Sequence, residues 1–183
     1  MVIGLSSLVV AMILAETPGL LWRGSPVHPG CIRELGTELA DSQPVVAAVD
    51  LEGCRNSNKY ASPYETEGRT LRVRDPGEDS RSYFEYEYLG ALTTGVHVVQ
   101  TVERGGGTGS FQGLLFLRVA KTTVLEDGKR RAREMLILVG SESLGDRDKT
   151  SVELSGDAVK IRRREFRGAL GYGPEEVLTR RVR

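Results

Sequence analysis

The residues of this chain that could do chemistry are few and scattered. His97 lies in the run VHVVQTV over 96–102, where an imidazole could serve as a base if a carboxylate faced it. No serine or cysteine nucleophile accompanies it in a local motif, so spacing assembles no triad. Glu85 and Glu87 flank Tyr86 in YFEYEY. On a strand, carboxylates two residues apart share one face. A glycosidase pair must flank a bond, normally from different strands. The two glutamates therefore read as a solvated strand face. His28, between Val27 and Pro29, reads as a solvated loop histidine.

The densest feature is RGGGTGSFQ over 104–112, which holds Gly105, Gly106, Gly107 and Gly109. Backbone N–H groups of such loops can cradle phosphates. Neither G-x-G-x-x-G nor G-x-x-x-x-G-K-[ST] fits here, and 114–119 reads as strand, so no helix N-terminus follows. The expectation is a long hairpin connection whose glycines supply positive φ, open to a ligand or partner. Asp146 and Asp148 resemble the start of a calcium loop, but glycine and glutamate are missing at EF-hand spacing. Gly140–Gly145 fails G-x-S-x-G because Glu142 stands where the serine belongs. No catalytic residue, metal ligand or cofactor is assigned. The candidate contact residues are His97, Gly105, Gly106, Gly107 and Gly109.

Cys31 and Cys54 are the two cysteines, and neither sits in C-x-x-C. An even count behind an export signal reads as one disulfide, worth roughly 3 kcal/mol by chain entropy. The other reading is two buried thiols in a cytosolic protein. The export signal is MVIGLSSLVVAMILA, Met1 to Ala15. A bilayer span needs about 20 apolar residues. This run has instead the length of a signal-peptide core, with Ala15 before the cut. It lacks a basic n-region, since no Lys or Arg precedes Arg23. The alternative is an uncleaved anchor continuing through Leu20, Leu21 and Trp22. The chain is expected to be periplasmic or secreted, with no stable membrane span after cleavage; in the alternative it is membrane-anchored.

The elements that must position these residues are mostly strands. Phe84, Tyr86 and Tyr88 alternate with Tyr83, Glu85 and Glu87, which implies one buried and one wet face. Further strands are read at 45–51, 69–73, 96–102, 113–125 and 131–139, with a last hairpin over 151–154 and 158–161. Asp127-Gly128 is a strong hairpin signal. Residues 55–64 and 140–150 read as loop. Ile32, Leu35 and Leu39 at helical spacing predict a short N-terminal helix. Pro174, Glu175 and Glu176 followed by Arg180, Arg181 and Arg183 predict a C-terminal helix.

The segments are a signal peptide (1–15), an N-terminal extension with a short helix (16–44), a β domain (45–166) and a basic C-terminal tail (167–183). The fold class is all-β: a small antiparallel β meander forming a barrel or sandwich. Formal net charge is +0, so the whole molecule has no electrostatic case for nucleic acid or an anionic membrane. The functional expectation is an exported non-enzymatic β domain that binds a partner or ligand in the cell envelope or outside the cell. The alternatives are an envelope hydrolase using carboxylates or His97, and a structural subunit held by β-edge pairing.

Overall fold

The computed structural model describes residues 19–36, 47–56, 62–74 and 81–182. The leader over 1–15 lies outside them. A hairpin of β1 (Leu21–Trp22) and β2 (Ser25–Pro26) leads into helix α1 (Pro29–Arg33). Strand β3 (Ala48–Asp50) runs into helix α2 (Leu51–Asn56). A meander follows: β4 (Glu65–Glu67), β5 (Thr70–Arg74), β6 (Ser82–Ala91), β7 (His97–Gly105), β8 (Phe111–Glu126) and β9 (Lys129–Asp146). The chain closes with β10 (Lys149–Ser155), β11 (Ala158–Phe166), a 3₁₀ turn at Gly168–Leu170 and β12 (Tyr172–Arg181).

The main sheet has seven antiparallel strands in the order β3-β9-β8-β7-β6-β5-β4. Its faces follow from the period of two. Phe84, Tyr86, Val99, Leu115, Leu117 and Leu136 point to one face, where Leu20, Trp22, Val27, Ile32, Leu35 and Leu51 cover them. Val98, Leu114, Phe116 and Leu144 point to the other, where Val159 and Ile161 of a second, three-stranded sheet β10-β11-β12 cover them. The chain is all-β and sandwich-like. Of the two expected forms, barrel or sandwich, it is the sandwich-like one, because β3 and β4 end the main sheet without pairing to each other. The physical reason lies in β8: its buried run Gly113–Leu117 needs cover on both faces, as strands apolar on both sides do.

The disulfide joins Cys31 of α1 to Cys54 of α2, with Cα atoms 6.0 Å apart. It holds both short helices over the first face of the main sheet. Leu20 and Trp22, of the apolar stretch that could extend an anchor, belong to that same buried cluster, while Leu21 between them is exposed. No helix among the described residues is long and apolar enough to cross a membrane.

Four expectations shift. The helix expected around Ile32–Leu39 runs instead over Pro29–Arg33, where His28 caps it and proline suits a first helical position; Leu35 follows its end, and Leu39 lies outside the described residues. The strand over 45–51 gives way at Leu51 to α2, where Asp50 Oδ1 accepts the Glu52 N–H at 3.0 Å as a cap. The region 140–146 is strand, not loop: Glu142 and Leu144 turn inward while Ser141 and Ser143 face out. The C-terminal helix is instead β12. Glu175 and Glu176, acids that suit a helix start, stand opposite Arg164 and Arg163 of β11, and Leu178 packs into the second core. Pro174 is tolerated because β12 is an edge strand.

Beyond the sheet, Lys121–Glu126 pair only with Lys129–Glu134. This two-stranded arm ends in the Asp127-Gly128 turn, with φ of 51° and 75° as a type I′ reversal requires.

Candidate functional site

The glycine connection links β7 to β8 and is anchored at one point. The Ser110 N–H donates to Asp146 Oδ1 at 2.7 Å, and the Arg147 N–H donates back to the Ser110 carbonyl at 2.9 Å. Gly106 has φ +80°. A Cβ at Gly109 would come within 2.8 Å of the Phe111 ring, so this position admits no side chain without movement. Gly105 and Gly107 are exposed.

Asp146 belongs to the β9–β10 turn, and this turn reaches a third one. Asp148 Oδ1 accepts the Phe166 N–H at 2.8 Å, at the end of β11. The Arg147 guanidinium stacks 4.4 Å from the Phe166 ring centroid. Gln112 Nε2 donates to the Asp148 carbonyl at 2.9 Å. The 3₁₀ turn that follows β11 is closed by the Arg167 N–H on the Gly171 carbonyl at 2.8 Å and presents Leu170, 86% exposed, at its tip. Three turns distant in sequence thus meet at one end of the molecule. Between the second and third lies a recess of about 400 Å³ that includes Arg147, Asp148, Arg163 and Glu176.

Asp146 and Asp148 therefore spend carboxylate oxygens on backbone N–H groups. They act as brackets between turns. Among the described residues, no group of three His, Cys, Asp or Glu side chains is placed to hold a metal ion.

His97 lies elsewhere. It begins β7 while Gly105 ends it, so about 27 Å of extended strand separates them. Its Nδ1 lies 3.0 Å from the Tyr88 hydroxyl. Burial lowers the His97 pKa and raises that of Tyr88. In a ring protonated at Nε2 the hydroxyl donates to Nδ1; in one protonated at Nδ1 the ring donates to the hydroxyl. No carboxylate among the described residues forms an ion pair with His97, whose Nδ1 partner is the Tyr88 hydroxyl. Glu85 and Glu87 face away from Tyr86 and pair with arginines, Glu85 with Arg72 Nε at 2.6 Å and Glu87 with Arg69 at 3.6 Å. They serve sheet pairing.

No protein-family model, curated protein or solved structure matches the chain.

Sequence reasoning missed three features. His28 is no solvated loop residue: Nδ1 accepts the Gly30 N–H at 3.0 Å, and Nε2 bonds the Ser62 carbonyl at 2.9 Å. The X-Pro step after it was the available signal. Beside it, Trp22, Val27, Leu51, Cys54 and Tyr64 line a largely apolar pocket of about 460 Å³, formed by segments with no common sequence cue. Glu103 is 3% exposed, with Oε1 2.7 Å from Arg33 Nε and Oε2 without a hydrogen-bond partner. The odd placement of a glutamate on the Val99–Thr101 face could have flagged it.

Proposed function

We propose that this chain is an exported, non-enzymatic β domain that binds a partner or ligand in the cell envelope or outside the cell. Its contact surface is the end built from the glycine connection, the Asp146–Asp148 turn and the Gly168–Leu170 turn. The observation that carries this reading is the convergence itself. Three turns are tied together by carboxylate–backbone bonds, yet they present exposed glycines and Leu170 to solvent. Loops on a rigid sheet are where recognition concentrates. The disulfide supports an oxidising compartment. An export route that ends in the periplasm or outside, with cleavage near Ala15, follows from the leader; an uncleaved anchor is the alternative.

Capture of partners from a native envelope extract tests the reading. Replacing Gly105–Gly109 by a shorter turn should abolish capture, while His97→Ala and Glu85→Gln leave it intact. Loss of a measurable hydrolytic activity on His97→Ala, with the fold preserved, would instead establish the hydrolase. Sequencing the N-terminus of the exported protein decides cleavage: a start at Met1 rejects it.

A further inference from the structure

We propose that the solvent face of the β10–β11–β12 sheet docks a linear anionic polysaccharide, a sugar chain carrying sulfate or carboxylate groups. The inference adds to the loop surface and does not depend on it.

The sheet register sorts its charges. Val159, Ile161 and Arg163 of β11 point inward, with Glu176, Leu178 and Arg180 of β12. The inward arginines are neutralised: Arg163 meets Glu176 at 2.8 Å, and Arg180 meets Glu142 at 2.8 Å. The outward set is Lys160, Arg162 and Arg164 of β11, Lys149 of β10 beside Arg164, and Arg181 of β12 beside Ala158. Here Arg162 pairs with Glu153 at 3.6 Å and Glu175 at 3.5 Å, the acids that stand opposite Lys160 and Arg164 in the register, and Arg164 Nε donates to the Gly173 carbonyl at 3.1 Å. Lys149, Lys160, Arg164 and Arg181 form no ion pair with a carboxylate of the described residues. The face is left with a cationic stripe whose β11 members repeat at about 7 Å.

The stripe ends on two rings. Past a bulge after Arg164, Phe166 and Tyr172 stand opposite each other with centroids 5.6 Å apart; Arg147 also stacks on Phe166 at 4.4 Å, and Lys149 Nζ lies 4.3 Å from the Tyr172 centroid. A row of cations along one strand beside a ring pair fits a ribbon of anionic sugars. A nucleic acid fits less well, because base stacking needs aromatics interleaved along the path and here they sit at one end. A bilayer fits less well, because the face carries one exposed aliphatic side chain, Val177, and no amphipathic helix. The disulfide also belongs to a compartment where free nucleic acid is scarce and anionic glycans are common.

Immobilised heparin is the probe, with phosphatidylglycerol vesicles and single-stranded DNA as competing surfaces. The wild-type protein should be retained on heparin and released by salt. The pair Lys160→Glu with Arg164→Glu should weaken retention by about tenfold, as losing counter-ion-releasing contacts does. The charge-matched pair Lys129→Glu with Arg130→Glu, on the β8–β9 arm, should leave it unchanged. Lys160→Arg with Arg164→Lys should retain it. Thermal melting of each variant separates lost binding from lost fold; if the glutamate pair melts early, the glutamine pair replaces it. No retention of the wild type, equal loss in both charge-matched pairs, or tighter binding to vesicles or DNA would overturn the proposal.

Discussion

The Asp148 carboxylate accepts the backbone N–H of Phe166 at 2.8 Å, across 18 residues of chain. Asp148 is 8% exposed, and Gly145, with φ +97°, packs directly against its carboxylate. Asp148→Ala should orphan a part-buried N–H and cost about 1–3 kcal/mol, read by urea unfolding. Asp148→Asn, which keeps the acceptor, should cost less. Equal losses would show that charge, not the bond to Phe166, is what matters. Gly145→Ala should be destabilising in its own right, because it needs positive φ and space the carboxylate occupies.

The disulfide closes a 23-residue separation between α1 and α2. Replacing Cys31 and Cys54 together by serine should lower unfolding free energy by roughly 3 kcal/mol, measured by denaturant titration. The oxidised wild type should show no free thiol before unfolding. An unchanged denaturation midpoint after reduction would remove the staple from the account of stability.

His97 carries a pH prediction. Burial lowers its folded pKa, so the unfolded chain binds its proton more readily. The stability His97 contributes is present above the unfolded value of about 6.5 and is lost as pH falls through the lower folded value. His97→Gln should flatten that part of the stability–pH curve. An NMR titration of the ring should show a midpoint below that of a free histidine; a midpoint above it would reverse the sign.

Arg33 and Glu103 form an ion pair beneath α1 at 2.7 Å, with the glutamate almost wholly buried. Arg33→Ala should cost about 3–5 kcal/mol, since it strands a buried carboxylate. The double variant Arg33→Met with Glu103→Leu should recover much of that loss, because the desolvation of both charges disappears with them. A double-mutant cycle by chemical denaturation checks the coupling, and additive losses would refute it.

The local rules read from the chain were those of single strands and tight turns. Alternation placed Phe84, Tyr86 and Tyr88 on a buried face and Glu85 and Glu87 on the other, as the structure has them. Asp127-Gly128 dictated its hairpin, because few residue pairs enter positive φ in succession. An even cysteine count behind an apolar leader pointed to one disulfide, with two buried thiols as the other reading; the structure forms the Cys31–Cys54 bond. Tail residues 174–181 misled because Pro-Glu-Glu followed by arginines suits a helix and an edge strand alike. The open edge of β11 decided between them.

Sequence by itself determined which residues alternate and which reverse, since each depends on neighbours a few positions away; whether the two cysteines pair was left for the structure to decide. Only the tertiary structure decided that β3 lies beside β9, that the main sheet stays open between two covering layers, and that Ser110, Asp146, Asp148 and Phe166 meet at one end. Those relations join residues tens of positions apart. They depend on which hydrophobic faces bury each other, and a one-dimensional pattern does not encode that choice of partner.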